Sequence, residues 1–568
     1  MPRKVPFSSK QKKKQLQGKK KAKCSNWHDE DSEEHGCNDI NGGNSGKTVE
    51  QINQQPESNR VGSSRKDLNR YRLEFFKDTK ESIEKGKKLS TEPHETLPEE
   101  SLEVNIDEIY KPGTVLDIPK RQSWDYSLKK EELEAKEEKY FKQYLSNICQ
   151  EHSLGTLSYF ELNLETWRQL WRVLEMSDIL LIIVDIRHPA VNFSPALYDH
   201  ITKDLGKHVV LILNKIDLAP PSLVTAWQYY MKEKFPELHI VLFSSFPTHT
   251  DLSIQNPGTV IRKARKKRRS TAMGPKELCR VCGEIMKGKV DMSHWEEKIK
   301  LQMAGKEPCV VEESDEESEM VTEDCEENNN LMEHKNEGIV TIGCLGSPNV
   351  GKSSLINGLN GRKVVSVSKT PGHTKHFQTI FLTPTVRLCD CPGLVFPSLM
   401  NKQLQILSGI YPVAQVQDPY SVIRYLAQRL DIPKLLRLQP VCDSSWTAFD
   451  ICEAWAQKRG FLTAKAGRPD VYRAGNNILR MAVEGKICLC LRPTGFSKMK
   501  EFWEVHQETM KLIEEVQQFK PQVNQDSSEG EEEDLSEQES SQERAIGKDK
   551  KVGRLCISNP FSLLEDEN

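Results

Sequence analysis

The residue types best able to do chemistry cluster in one stretch, Gly346-Ser347-Pro348-Asn349-Val350-Gly351-Lys352-Ser353. Glycines let a backbone curl until successive N–H groups converge on one anion, here a β-phosphate. Lys352 would set a point charge against the β- and γ-phosphate oxygens, and Ser353 a hydroxyl on magnesium. The required context is present: Ile339–Leu345 reads as a strand before the loop, and Lys352–Leu359 as a helix after it. A glycine turn arising by chance would have neither flank.

Far upstream, Asn214-Lys215-Ile216-Asp217 follows the apolar run Val209–Leu213. Alone this is a four-letter match that any polar strand end could produce. Paired with a phosphate loop, it reads guanine. The Asp217 carboxylate can accept from the N1–H and the exocyclic amine of that base, whereas adenine offers an acceptor at N1 and no amine beside it. Asn214 can hydrogen-bond the purine and its neighbouring loops, and the Lys215 stem can lie over the ring. After the run Ile240–Phe243, the pair Ser244-Ser245 stands where a backbone N–H would meet the guanine O6.

Downstream of the phosphate loop, Asp390-Cys391-Pro392-Gly393 closes another apolar run. Asp390 would hold magnesium through water, and the Gly393 N–H would sense the γ-phosphate. Between them, "SKTPGHTKHFQT" supplies Thr370 and Thr374, one of which completes the magnesium shell; Thr374 is preferred. Lys352, Thr374 and Gly393 are thus the groups expected at the transferring phosphate. Many enzymes of this chemistry place a glutamine after the glycine to orient the attacking water. Leu394 stands there instead and cannot hydrogen-bond, so slow intrinsic turnover is expected. His373 and His376 read as exposed loop residues.

Weaker signals remain. Cys279 and Cys282 have CxxC spacing but no second pair at zinc-site distance, and His294 and Cys309 join them only loosely, so no metal is expected there. The basic runs Arg3–Lys23 and Arg262–Arg269 lack interleaved aromatics; they suit phosphate contacts on RNA, a nuclear-import receptor, or plain solvation. Ser314, Ser318, Ser527, Ser528 and Ser536 lie in acidic surroundings that suit phosphorylation.

What must position these groups is a sheet. The apolar runs 179–185, 209–213, 240–243, 339–345, 379–382 and 386–390 do not alternate, as strands buried on both faces do not, and helical patterns such as Ser222–Lys234 lie between them. That alternation predicts an α/β domain, doubly wound about a mostly parallel sheet, over 167–397. Trp167, Leu170, Trp171 and Leu174 fall at helical spacing and should form a buried face; Tyr140, Phe141, Tyr144 and Leu145 offer an apolar edge within a helical lead-in over 111–166. Residues 247–337, with basic and acidic runs and a helix over Asp291–Met303, read as an insertion on the surface of the sheet domain. A helical domain is expected over 398–495.

Composition bounds the rest. Of 568 residues 29% are charged and 7% aromatic, and the net charge of −3 hides strong segregation. The first 24 residues hold ten Lys or Arg and no acid, while Asp526–Asp534 is almost wholly acidic. Residues 1–110 and 496–568 are therefore expected to be mostly disordered tails. Fifteen scattered cysteines and no signal-peptide pattern at "MPRKVPFSSK" suggest a reducing, intracellular setting, and the longest apolar stretch, Ile179–Val184, is too short to span a bilayer.

Read from N to C, the elements run base-reading motif, Ser-Ser loop, phosphate loop, threonine segment, Asp-Cys-Pro-Gly. This rotated order resembles the circularly permuted GTPases of the YlqF/YawG family, through "WRQLWRVLEMSDILLIIVDIRHPAVNF", "LNKIDLAPP", "GSPNVGKSSLINGL", "VVSVSKTPGHTKHFQT" and "DCPGLVFPS". The resemblance spans about Leu128 to Gly495 and implies binding and hydrolysis of GTP to GDP with magnesium, usually in assembly or export of the large ribosomal subunit. It implies too that Leu394 is the family's apolar substitute for the glutamine, and that Asn349 helps to hold potassium. "GFLTAKAGRPDVYRAGNNILR", Gly460–Arg480, resembles the family's C-terminal helical domain, which tends to contact RNA; Arg473 and Arg480 could do so or form surface ion pairs. Because the last motif runs directly into helices after Pro397, nucleotide state could pass to them through a short covalent link. The expected setting is a monomer in nucleus, nucleolus included, and cytoplasm, meeting pre-ribosomal particles and no membrane. The competing reading is a nucleotide-gated signalling scaffold in which binding matters more than hydrolysis.

Overall fold

Six short apolar runs become six strands: β1 (Ile179–Asp185), β2 (His208–Asn214), β3 (His239–Phe243), β4 (Val340–Leu345), β5 (Gln378–Thr383) and β6 (Val386–Asp390). The computed structural model describes residues 73–125, 127–153, 155–245, 272–304, 338–439, 445–463 and 467–518. The sheet order is β3-β2-β1-β4-β6-β5, and every neighbouring pair is parallel except the β5–β6 hairpin at the edge. Every residue of β1 and β4 is buried, as strands covered on both faces require. Because β1 pairs with β2 on one side and β4 on the other, the base-reading and phosphate-holding strand ends lie on the same edge of the sheet.

The helices that matter below are α1 (Lys80–Ser90), α2 (Lys130–Glu151), α3 (Leu164–Met176), α4 (Pro221–Lys234), α5 (Pro275–Met286), α6 (Ser293–Met303), α7 (Lys352–Asn360), α8 (Lys402–Leu407), α9 (Pro419–Ala427), α10 (Ala448–Arg459), α11 (Val471–Val483), α12 (Lys500–Val505) and α13 (Gln507–Gln518). Alternate strand residues divide the core. Ile179, Leu181, Ile183, Val210 and Ile212 face a layer made by α5, α6 and α7. The opposite face carries α3, whose Trp167, Leu170, Trp171 and Leu174 are all buried as the spacing predicts. In α2, Phe141 and Leu145 are buried, and Tyr140 and Tyr144 are partly so.

Three boundaries move. Residues 272–304 are no surface insertion: Leu278, Val281, Cys282 and Ile285 of α5 and Trp295 and Ile299 of α6 belong to the main core. The flanking basic and acidic runs, including Arg262–Arg269, Ser314, Ser318 and Cys309, lie outside the described residues, as do Arg3–Lys23, Ser527, Ser528 and Ser536. The C-terminal tail does not begin at 496, because α12 and α13 pack on α4, with Trp503 against Tyr229 at 5.4 Å and Thr509 Oγ1 donating to Thr225 Oγ1 at 2.9 Å. Nor does the N-terminal region lack structure up to 110: α1 packs on α9, where a Cβ on Gly86 would meet Ser421 Oγ at 2.5 Å.

The C-terminal helices α9, α10 and α11 pack on one another. Each begins at a side-chain cap: Asp418 for α9, a reciprocal Thr447–Asp450 box for α10, and Asp470 for α11. Ala474, Ile478 and Ala482 recur every four residues along α11 and form its buried stripe.

The exit from β6 is strapped down by residues 157–163. Ser158 N donates to Ser398 O at 3.0 Å, Glu161 N to Val395 O at 3.0 Å, and Tyr159 and Gln405 exchange two bonds of 2.8 Å. Glu161 itself is fully buried; its Oε1 accepts from Glu74 N and Asn163 N, while Oε2 meets no donor among the described residues. Burial pushes this carboxyl up to about 8, against the lowering pull of those two N–H groups. The stability conferred by the neutral form is complete at low pH and is lost as pH climbs through the folded value. Glu161→Gln, which cannot ionise, should therefore gain on the unsubstituted chain between about pH 5 and 8, by up to about 1.4 kcal/mol per pH unit. Melting curves across that range check this, and parallel pH profiles would clear Glu161 as the cause.

Candidate functional site

Strand β4 ends at Leu345, and the φ of 147° at Gly346 opens the phosphate loop; a Cβ there would lie 2.4 Å from Ile183 O of β1. No L side chain fits that conformation or that gap. The chain then passes the buried Ser347 and Pro348, takes a left-handed turn at Asn349 with φ 60°, buries Val350, and enters α7 at Lys352 after Gly351. Lys352 is buried, and its Nζ donates to Gly346 O at 3.0 Å and Ser347 O at 2.8 Å. Burial lowers its pKa, and the neighbouring Asp390 carboxylate works against that. The ammonium thus sits inside the loop that would cradle an anion.

At the next residue, Ser353 Oγ donates to Asp390 Oδ2 at 2.8 Å and lies 3.5 Å from Thr374 Oγ1. Asp390 is fully buried, and its Oδ1 meets no donor among the described residues. Burial raises its pKa, although Lys352 and Ser353 pull the other way. One hydroxyl on a buried carboxylate with an orphaned oxygen, and a second hydroxyl beside the first, fit a magnesium ion, which would neutralise charge developing on the phosphates. Thr370 lines the same cavity, but its N–H is turned onto Ser368 Oγ at 3.1 Å, and it lies in the exposed part of the segment.

Gly393 packs against the phosphate loop so closely that a Cβ would stand 2.7 Å from Pro348 Cα. Any other residue there would push the two apart. Cys391 and Leu394 anchor this segment beside it: Cys391 N donates to Cys344 O at 3.3 Å, and Leu394 N to Gly346 O at 3.3 Å, while Pro392 lies buried between. The Leu394 side chain is buried too, turned into protein.

The base-reading residues meet the phosphate loop directly. Asn214 Nδ2 donates to Val350 O at 2.8 Å. Lys215, in a left-handed turn with φ 62°, extends its Nζ to Asn349 O at 2.7 Å and Asp185 Oδ2 at 2.8 Å. Ile216 is buried and starts a short 3-10 turn. Asp217 Oδ1 accepts from Ser244 Oγ at 2.7 Å, which tethers one oxygen of the carboxylate. Ser244 is itself held in an antiparallel bridge, its N–H donating to Met273 O at 3.1 Å. With that N–H taken, the N–H left to face a guanine O6 would be that of Ser245, which is buried beside it.

A cavity of about 280 Å³ opens between these loops, lined by Lys215, Asn349, Lys352, Ser353, Thr374 and Gly393 among others. Its wall also holds Arg187, Val483 and Glu484, none of which the motifs pointed to. Glu484 meets Lys369 of the threonine segment at 2.9 Å, and Asn349 Nδ2 donates to Lys369 O at 3.0 Å and Gly409 O at 2.9 Å. The detectable signal was the string Asp185-Ile186-Arg187-His188: three polar groups at the end of a wholly apolar strand, all buried. Burial works to raise the Asp185 pKa, but Arg187 and Lys215 outweigh it and hold the carboxyl well below the usual range. His373 bonds Ser366 Oγ at 2.9 Å on the exposed side of the threonine segment, and His376 is exposed beyond it.

Cys279 and Cys282 both face the core from α5, and His294 is exposed on α6. Among the described residues no helix is long and apolar enough to cross a membrane. Arg473 stacks over Phe461 at 4.7 Å, and Arg480 is exposed on the same helix.

Comparison with known proteins agrees with the geometry. The family described as 50S ribosome-binding GTPase matches residues 341–436, a window holding the phosphate loop, the threonine segment and Asp390–Gly393 but not Asn214–Asp217. Guanine nucleotide-binding protein-like 1 of Rattus norvegicus is 49% identical over 547 residues, covering 90% of this chain and 89% of that one. Large subunit GTPase 1 homolog of Bos taurus is 30% identical over 442 residues, covering 66% of this chain and 67% of that one. A solved structure of GNP-bound YlqF from T. maritima covers 57% of this chain and 96% of its own, at 18% identity and a TM-score of 0.32, too low to bear on the assignment.

Proposed function

The chain belongs to the family of circularly permuted GTPases that includes guanine nucleotide-binding protein-like 1, and on that premise we propose that it is a nucleotide-driven switch acting in assembly or export of the large ribosomal subunit. It binds GTP and hydrolyses it to GDP and phosphate. Its own residues divide that work. Asp217 and Lys215 take the base, and the loop N–H groups with Lys352 take the phosphates. Ser353, Thr374 and Asp390 would hold magnesium, and Gly393 senses the third phosphate.

The observation that carries the switch reading is the meeting of the threonine segment with the C-terminal helices at the cavity mouth. Lys369 pairs with Glu484, just past α11, and Asn349 bonds both Lys369 O and Gly409 O. Reordering of residues 366–374 around a γ-phosphate would exchange those contacts and so shift the helical body. The ribosomal setting is supported by the description of the matching family and by the name of the bovine relative. Nuclear, nucleolar and cytoplasmic residence, RNA contact by the basic arms, and phosphorylation of the acidic serines belong to the same reading. Co-sedimentation of the full chain with pre-ribosomal particles in GTP but not GDP is the expected result. Sedimentation indifferent to nucleotide would favour the scaffold alternative.

Turnover of the isolated protein should be slow, because the buried Leu394 orients no water. The Asn349 amide nitrogen donates to the Lys369 and Gly409 carbonyls, which leaves its side-chain oxygen as the atom that would meet a potassium ion adding positive charge at the phosphates. Exchanging potassium for sodium should lower the hydrolysis rate about tenfold, equivalent to about 1.4 kcal/mol. Identical rates in the two salts would count against it.

A further inference from the structure

Strand β1 ends on Asp185 and strand β2 on Asn214, paired in register, so Arg187 and Lys215 leave adjacent strand ends. Both reach the same carboxylate. Lys215 Nζ lies 2.8 Å from Asp185 Oδ2, while Arg187 Nε lies 3.1 Å from Oδ1 and Nη2 2.8 Å from Oδ2. The remaining donors of the guanidinium point away from the sheet domain. Nη1 bonds Ala482 O at 3.0 Å and Nη2 bonds Val483 O at 3.3 Å, two carbonyls in the last turn of α11. Beside this contact, a Cβ on Gly485 would lie 2.9 Å from Leu218 Cδ1, of the residue after Asp217, and 3.6 Å from Arg187 Nη1.

The side chain of Arg187 is 2% exposed, so water satisfies almost none of its donors. A planar fork can grip a carboxylate with one edge and cap a helix C-terminus with the other, where carbonyls lack intrahelical partners and the dipole is negative. A lysine has the charge but not the fork.

We propose that Arg187 is a positioning residue for guanine binding: it clamps Asp185, which holds Lys215 for the purine face, and α11 clamps Arg187 in turn. The C-terminal helix is then a working part of the base pocket. Occupancy of that pocket fixes the helix whether or not a third phosphate is present, unlike the Lys369–Glu484 contact, which answers to the threonine segment.

The inference rests on guanine-nucleotide binding, and GDP is the probe because it fills the base pocket without a γ-phosphate. In the full unsubstituted chain, saturating GDP should slow amide exchange in Val471–Val483. In Arg187→Lys, GDP should bind about tenfold more weakly by calorimetry, and the slowing should be lost even at saturation. Unsubstituted protein that binds GDP with no change in α11 would overturn the inference while leaving GTP binding intact; this arm needs no variant and stands even if Arg187→Lys fails to fold. Arg187→Lys that keeps both the affinity and the slowing would overturn it equally.

Discussion

Replacing Asp217 with asparagine is expected to weaken guanine-nucleotide binding by roughly 10²- to 10⁴-fold and to admit xanthine nucleotides instead. Two hydrogen bonds to an ionised carboxylate are worth roughly 1.5–3 kcal/mol each, and both are lost at once. The structure adds the orientation. Ser244 Oγ donates to Asp217 Oδ1, so one carboxylate oxygen is already engaged. An asparagine would keep its carbonyl on Ser244 and turn its amide N–H toward the position that the guanine amine occupied. Xanthine presents a carbonyl there, and donor meets acceptor. Calorimetric titration with GDP and XDP is the measurement. Retained GDP affinity would remove Asp217 from base selection, and a loss of both nucleotides alike would point to a damaged loop rather than an altered preference.

The groups in that argument were legible before the fold because their chemistry is local: a strand end, a turn and a few side chains within four positions. The strands were legible for a similar reason, since a strand buried on both faces has no polar face to confuse its pattern, as the wholly buried β1 shows. What escaped was set by distant contacts. Leu278, Val281, Cys282 and Ile285 recur at helical spacing, but they lie between strongly charged runs whose composition suggested solvent exposure. Helices α12 and α13 were lost in the acidic composition that follows them, although Trp503 and Thr509 find partners on α4, more than two hundred residues away. Arg187 was hardest to see. Its hydrogen bonds cross to Ala482 and Val483 through main-chain carbonyls, which no residue type announces.

Lys352→Ala should leave the fold standing and lower the hydrolysis rate at saturating GTP roughly 10²- to 10³-fold, the usual effect of removing one preorganised charge from a developing oxyanion. Its ammonium is already desolvated, bonded to Gly346 O and Ser347 O, so little reorganisation is needed when phosphate oxygens replace those carbonyls. Burial lowers its pKa, while the neighbouring Asp390 carboxylate favours the charged form, as phosphate oxygens beside it would. Alanine is a good helix former at the first position of α7, and the left-handed φ values at Gly346, Asn349 and Gly351 belong to residues that the substitution leaves in place. The melting temperature of the nucleotide-free protein should therefore change little, while the stabilisation brought by added GDP shrinks as affinity falls. Single-turnover hydrolysis at saturating GTP separates the two effects. A rate within tenfold of the unsubstituted protein would show that the phosphate charge is met by something other than Lys352. The first candidate would then be the potassium ion proposed for Asn349, whose amide nitrogen bonds the Lys369 carbonyl of the threonine segment.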